Sequence, residues 1–195
     1  MDKQTAEEKR QARQRQEKLR RTLIIAVAVL GLGVIIWGLV APSLRPELGV
    51  AAEELPANHV EEGQDPGPYN TDPPTSGTHY ASELDAGFYD EADISSIGPY
   101  PEGYLVHNLE HGYVIFWYNC TILDEAACTE LKAEIKDVID GENNFKVIGF
   151  PRASIEVPVV MTSWTRMLSF EAFDARLAKE FVRTFRNQAP EPQAP

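Results

Sequence analysis

The sequence predicts a mixed α+β (α/β) domain that follows an N-terminal transmembrane helix. The first observation is an apolar run of twenty residues without a charge, Thr22–Ala41. The second is the order of periodic segments after residue 112, which reads strand, helix, strand, hairpin and helix. The third is a long segment rich in turn-forming residues, 69–112, which precedes them. Together they predict a small mixed sheet with a crossover helix and a C-terminal helix.

The apolar run is long enough to cross a bilayer. At about 1.5 Å per residue, a helix of this length spans the roughly 30 Å hydrocarbon core. A cleaved signal peptide is the alternative, but its apolar region has about 7–15 residues and ends at a small-x-small cleavage site. The sequence Leu39-Val40-Ala41 matches such a site poorly. We therefore expect an uncleaved single-pass anchor at residues 22–41.

The charge distribution predicts the orientation of this anchor. Residues 1–21 carry eight Lys/Arg and four Asp/Glu, whereas the other 174 residues carry 10 basic and 26 acidic groups. Basic residues beside a span are retained in the cytoplasm. We expect a basic cytoplasmic tail at 1–21 and an extracytoplasmic chain from residue 42 onward, held at the cell membrane. The net charge of -12 argues against nucleic acid as a partner.

Composition divides the extracytoplasmic part into three regions. Residues 42–68 are rich in Pro, Glu and Gly with little apolar periodicity, which predicts a stalk or linker. Residues 69–188 contain the aromatic and periodic segments and predict the folded domain. The tail at 189–195 has no large apolar side chain with which to pack, and we expect it to be disordered.

A strand, a helix and a second strand follow the turn-rich segment. Tyr113–Tyr118 is an unbroken β-branched and aromatic run, which predicts a strand buried on both faces. Residues 124–141 place apolar side chains at helical spacing, with Asp124 as the N-cap. Phe145–Phe150 is the next strand, closed by Pro151. Two strands joined by a helix form a parallel pair with a right-handed crossover.

The remaining segments predict a hairpin and a helix. Glu156–Ser163 pairs with Met167–Phe170 across the short turn Trp164-Thr165-Arg166. Glu171–Asn187 carries phenylalanine and leucine at four-residue spacing, which is typical of a helix with one face on the core.

The two cysteines, Cys120 and Cys128, are eight positions apart. In an oxidising compartment, two thiols this close in sequence are expected to pair. A redox-active pair favours a tighter spacing and a lowered thiolate pKa, so we predict a structural disulfide.

Three histidines lie in two dense polar segments, Pro73–Tyr80 and Val106–Gly112. His107 and His111 have the spacing of one helical turn, and the turns after Pro73 can bring His79 to them. Imidazoles combined with a carboxylate suit copper or zinc, so we predict a metal site of His79, His107, His111 and either Glu110 or Glu102.

This metal prediction has an alternative. The pattern H-x-x-x-H recurs by chance, and its acid is not at the position required by helical zinc proteases. The histidines then hydrogen-bond backbone carbonyls and hold the turn-rich segment together. His59 lies in the predicted stalk, and we expect it to be solvated, with His59→Ala leaving metal binding unchanged.

Three segments resemble a known family. Tyr69–Tyr80 (YNTDPPTSGTHY), Val106–Tyr118 (VHNLEHGYVIFWY) and Ala189–Glu191 (APE) are similar to the bacterial family called domain of unknown function 3105. The resemblance covers about residues 55–190 and implies a membrane-anchored, exported protein. It implies no activity, because the family has no settled one.

Three classes of function remain. The leading hypothesis is a tethered extracytoplasmic domain that binds copper or zinc through the histidine cluster. The second is a metal-free interaction module whose polar surface contacts a membrane partner. The third is a metal-dependent enzyme with Glu110 as base, although no nucleophile elbow, phosphate loop or dinucleotide motif identifies a reaction and the catalytic residues are unknown.

Overall fold

A computed structural model describes residues 3–40 and 47–194. Several predicted positions lie outside the described residues: Ala41 at the end of the span, 42–46 at the start of the stalk, the N-terminal residues 1–2, and Pro195 in the tail. Contacts divide the chain into two compact units, the first ending at Glu47 and the second beginning at Leu48.

The first unit contains one long helix, α1, at Lys3–Val40. Its segment Arg13–Leu39 is long and apolar enough to cross a membrane, a property shared by membrane anchors and signal sequences. The helix therefore includes most of the predicted basic tail as well as the apolar run.

The second unit is a mixed α/β fold, which confirms the predicted class. Its helices among the described residues are α2 Ile94–Ile97, α3 Glu102–Glu110, α4 Glu125–Gly141 and α5 Ala175–Phe185. Its strands there are β1 Val50–Ala51, β2 His59–Val60, β3 His79–Tyr80, β4 Gly87–Phe88, β5 Val114–Tyr118, β6 Val147–Pro151, β7 Val159–Ser163 and β8 Arg166–Phe170.

The main sheet has the order β1-β8-β7-β5-β6-β4 in the described part of the chain. Strands β5 and β6 are parallel and are joined through α4, as the strand–helix–strand pattern predicts. Strands β7 and β8 form the predicted antiparallel hairpin, and β7 lies antiparallel to β5. β5 is buried along its whole length at the centre of the sheet.

Each face of the sheet covers a separate apolar core. One core packs α4 and α5 against side chains such as Phe116 and Tyr118. The other packs α3 against alternate side chains of the same strand, including Ile115 and Trp117. Because α3 lies directly on the sheet, its C-terminal end has a fixed position.

Two regions differ from the expected organisation. The predicted stalk contributes β1 to the main sheet, where Val50 pairs with Met167, and β2 to a small two-stranded pair. The predicted disordered tail makes defined backbone hydrogen bonds, such as the 3.0 Å bond from Glu191 N–H to Glu110 O. Composition suggests neither result, because backbone pairing requires no large apolar side chain.

The predicted disulfide is present and joins Cys120, after β5, to Cys128 in α4, with 5.2 Å between their Cα atoms. We expect replacement of both cysteines by alanine to lower the free energy of unfolding by about 2–3 kcal/mol, because the closed loop restricts the unfolded chain. Denaturant titration of the double variant measures this loss. An unchanged midpoint would contradict a stabilising role for the bond.

Candidate metal centre

The C-terminal end of α3 supplies most of the polar cluster. His107 and Glu110 are one helical turn apart, and the helix ends with His111 as its C-cap. The side chains of all three are more than nine-tenths buried. Leu105 and Leu109 lie on the apolar face of α3 and anchor it to the sheet. The alternation of ligand-type and apolar residues therefore turns the polar side chains away from the core.

The segment before β3 holds His79 in a fully buried position. Ser76 Oγ accepts a 2.9 Å hydrogen bond from Leu55 N–H, and Tyr69 Oη donates to Thr78 O. Gly77 has a φ of +124°, and an added Cβ would lie 3.1 Å from the Tyr69 ring. The turn residues of this segment thus fix the direction of the following imidazole.

His59 is brought to the same place by strand pairing. β2 and β3 are parallel, with His59 opposite His79, and His79 N–H donates to Asn58 O over 2.9 Å. The His59 side chain is 53% exposed. Its ring centre nevertheless lies 4.8 Å from that of His79. His59 is therefore solvent-exposed, as expected, but it lies at the rim of the cluster instead of in an isolated stalk.

Three imidazoles converge on one carboxylate oxygen. Glu110 Oε2 lies 2.9 Å from His79 Nε2, 3.8 Å from His107 Nδ1 and 3.9 Å from His59 Nε2. The four potential ligand atoms all lie within 4.8 Å of one another. Ligand atoms around a tetrahedral zinc ion, with bonds of about 2.0–2.1 Å, are about 3.3 Å apart. The observed separations bracket that value.

Hydrogen bonding determines which nitrogen of His79 carries the proton. Nδ1 lies 2.8 Å from the carbonyl oxygen of Gly77, which can only accept, so Nδ1–H is the donor. In neutral His79, Nε2 is then an acceptor, and it faces the acceptor oxygen of Glu110 at 2.9 Å. A cation between these two atoms satisfies both of them.

His107 contributes a buried nitrogen without a partner. Its Nδ1 has no hydrogen bond among the described residues. Burial lowers the pKa of His107 to about 4, with further lowering from His111, His79 and His59. The ring is therefore neutral at physiological pH and keeps a lone pair available. An unsatisfied buried polar group costs about 1–3 kcal/mol.

His111 belongs to neighbouring groups rather than to the quartet of His59, His79, His107 and Glu110. Its Nδ1 lies 2.8 Å from Glu83 Oε2, and its Nε2 lies 3.8 Å from Glu191 Oε2. Its ring centre is 4.2 Å from that of His107. The structure thus brings His79, His107 and Glu110 together, whereas His111 forms one group with Glu83 and His107 and another with Glu110 and Glu191.

A buried asparagine positions Glu83. Asn108 donates to the Leu84 carbonyl at 2.9 Å and accepts from the Leu84 N–H at 3.1 Å. These two bonds fasten the loop after β3 to α3. Glu83 precedes Leu84 in the loop, so it is held beside His111.

Lys146 holds the C-terminal segment against the same end of α3. Its buried Nζ donates to the carbonyl oxygens of His111, Pro192 and Ala194 over 2.9, 3.1 and 2.7 Å. Burial lowers the pKa of this ammonium, while the nearby charge of Glu83 raises it. The segment that carries Glu191 is therefore fastened at two carbonyls.

The other carboxylate considered from sequence, Glu102, contacts a different partner. Its Oε1 accepts a 2.6 Å bond from Arg152 Nη1. Sequence reasoning left His59, Glu83 and Glu191 outside the metal site. Glu191 had one signal, since it ends the APE segment used for the family resemblance. His59 and Glu83 had none.

The comparisons with known proteins agree with this resemblance. A family model described as protein of unknown function (DUF3105) matches residues 59–195, which include every residue of the cluster. Comparison with curated proteins and with solved structures found no match. Because the match covers more than half of the sequence, the chain belongs to the DUF3105 family.

Proposed function

We propose that this protein binds one transition-metal ion, zinc or copper, through His59, His79, His107 and Glu110. The observation that carries the proposal is the Glu110 carboxylate oxygen, which lies 2.9 Å from His79 Nε2 and 3.8 Å from His107 Nδ1, a buried nitrogen without a hydrogen-bond partner among the described residues. Imidazole and carboxylate are ligands that both metals accept.

The competing explanation for the close approach of His79 and Glu110 is a proton between them instead of a metal ion. An imidazolium at His79 would form an ion pair with Glu110, and the 2.9 Å distance fits such a pair. That pair leaves the Nδ1 of His107 unsatisfied, and it gives no reason for His59 to approach the same oxygen. One metal ion satisfies all four ligand atoms together. The metal is therefore the better account of the convergence.

The ligand number indicates the kind of metal site. Three nitrogens and one oxygen complete a four-coordinate shell with protein atoms alone. Closed shells of this kind are typical of sites that hold a metal, whereas catalytic zinc sites keep one position for water. The quartet therefore favours a metal-binding role over metal-dependent hydrolysis.

His59 is the sharpest test of this ligand set. We expect His59→Gln to weaken zinc binding to the full-length chain in detergent micelles by at least about tenfold, as measured by competition with a chelating dye. The substitution leaves the core unchanged, because the side chain is half exposed. Glu171→Gln, on the exposed surface, is the control and should bind like the unaltered chain. Equal affinity for His59→Gln would remove this histidine from the site.

We further propose that α1 anchors the chain in the cell membrane with its basic end in the cytoplasm and the second unit outside. The charge step across residues 22–41 supports this orientation. The Cys120–Cys128 disulfide supports an oxidising compartment for the second unit.

A reporter enzyme fused after Pro195 tests the orientation. We expect activity from a reporter that works only outside the cytoplasm, and none from one that requires the cytoplasm. The intact mass of the membrane-bound chain should include the residues of α1. The reverse reporter pattern would overturn the orientation, and loss of the N-terminal residues would identify a signal sequence.

A further inference from the structure

We propose that the cluster holds a second divalent cation, bound by His111 Nε2 and Glu191 and sharing the Glu110 carboxylate with the first. This inference rests on the proposed function and adds a neighbouring site. His111, Glu110 and Glu191 offer ligand atoms within 4.8 Å of one another. Glu110 is therefore common to both sets, and a carboxylate has two oxygens with which to bridge two ions.

His111 has the arrangement of a prepared metal ligand. A carboxylate can only accept, so His111 Nδ1–H donates to Glu83 Oε2 at 2.8 Å. Nδ1 then cannot ligate a metal, which leaves Nε2 as the potential ligand atom, and Nε2 lies 3.8 Å from Glu191 Oε2. A carboxylate that receives the second N–H of a ligand histidine is the usual outer partner in zinc sites. His79 shows the same arrangement, with the Gly77 carbonyl as outer partner.

The backbone holds Glu191 at this position. Glu191 N–H donates to the carbonyl oxygen of Glu110 at 3.0 Å, which joins the two acidic residues directly. Lys146 fixes the next turn through Pro192 and Ala194. The Glu191 side chain is 61% exposed, so the second site lies toward solvent. These hydrogen bonds order the C-terminal segment. The Glu191 carboxylate is therefore held beside the proposed second site.

Carboxylates are concentrated around His111. Glu83, Glu110 and Glu191 all belong to ligand groups that contain this histidine. The Lys146 ammonium lies near Glu83, but its hydrogen bonds go to the backbone carbonyls of His111, Pro192 and Ala194. A cation between His111 Nε2 and Glu191 would therefore be attracted by acidic groups that have no cationic hydrogen-bond partner in Lys146. Two-metal sites with a shared ligand have ions roughly 3.5–4 Å apart.

The number of bound ions tests the proposal. The full-length chain in detergent micelles is dialysed against buffered Zn²⁺, and zinc per chain is determined by elemental analysis. We expect two ions for the unaltered chain and for the exposed-surface control Glu171→Gln. His111→Gln and Glu191→Gln should each retain one ion. Glu83→Gln should bind the second ion about 10–100-fold more weakly, because it removes only an outer partner.

The outcomes separate this inference from the proposed function. One ion per chain that is lost in His79→Gln and kept in His111→Gln overturns the second site and leaves the first. No bound zinc overturns both. Two ions per chain in Glu191→Gln at unchanged affinity overturns the assigned ligands. Circular dichroism and an intact disulfide establish that each variant is folded before its zinc is counted.

Magnetic coupling tests whether the two ions are neighbours. The chain is loaded with two Cu²⁺ ions and examined by electron paramagnetic resonance. Two ions that share Glu110 should couple and give a half-field signal, and His111→Gln should give the spectrum of an isolated ion. An isolated-ion spectrum from the unaltered chain with two bound copper ions would contradict a shared carboxylate.

Discussion

Zinc at one hundred times its dissociation constant is expected to raise the free energy of unfolding of this protein by about 2.7 kcal/mol. The quartet exists only in the folded state, because His59, His79 and His107 are far apart in sequence and are brought together by β2, β3 and α3. An ion that binds only the folded chain shifts the unfolding equilibrium by mass action. The increment is measured by denaturant titration with zinc and with a chelator.

In the His111→Gln background, which lacks the second site, His79→Gln should abolish this zinc-dependent increment. The variant removes the nitrogen nearest to Glu110, and its own fold loses the bond to Gly77 whether zinc is present or not. The matched control is Thr162→Val, which removes a buried hydrogen bond from Trp117 Nε1 in the core of the sheet without touching a ligand. The control should be less stable and should keep the full increment. An increment that survives when both His111 and His79 are replaced would rule out the proposed ligand set.

The metal-free protein has buried polar groups that lower its stability, and a bound metal ion would satisfy them. His107 Nδ1 is buried without a hydrogen-bond partner among the described residues, and the ring is neutral at physiological pH because burial lowers its pKa to about 4. Glu110 is buried, and its Oε2 lies within 3.9 Å of a nitrogen of each of three imidazoles. Groups of this kind are rare in folded proteins unless a ligand or water completes them. These destabilising groups lie at the proposed metal position.

Periodicity was sufficient to predict the four longer strands of the main sheet, β5 to β8. Tyr113–Tyr118 and Phe145–Phe150 are short β-branched or aromatic runs on either side of a helical pattern with an N-cap. Strands joined by a helix in this order usually form a parallel pair with a right-handed crossover. In the structure, Asp124 accepts the hydrogen bond of Ala127 N–H, as an N-cap does. The hairpin of β7 and β8 was predicted in the same way, because Trp164 and Thr165 separate two apolar runs.

The two-residue strands and the C-terminal segment could not be predicted from local periodicity. β1 and β2 contain two residues each, and their pairing partners lie more than a hundred positions away for β1 and twenty positions away for β2. A pattern confined to one segment contains no information about such partners. His59 enters the cluster through this pairing alone, and Glu191 enters it through a backbone bond to Glu110. The sequence therefore indicates the ligands on α3 and beside β3 better than those at the rim.

Gly112 joins the histidine cluster to the C-terminal segment. Its φ is +86°, a left-handed conformation that follows directly after His111. A Cβ at this position would lie 2.7 Å from the Cα and 3.0 Å from the N of Asn187, which are backbone atoms and cannot rotate away. Asn187 N–H also donates to the Gly112 carbonyl oxygen at 2.9 Å. Any side chain here must therefore push the C-terminal segment off α3.

Gly112→Ala is expected to lower the free energy of unfolding by about 1–2 kcal/mol for the left-handed backbone and by a further 1–3 kcal/mol for the contact with Asn187. Gly63→Ala isolates the first part, because Gly63 has a φ of +84° and nothing within 4 Å of its Cβ position. Denaturant titrations of both variants measure the difference. Equal losses would mean that the close approach of Asn187 does not constrain the protein. A larger loss in Gly112→Ala, together with weaker zinc binding at the His111 side, would show that the tail is held in place for the site.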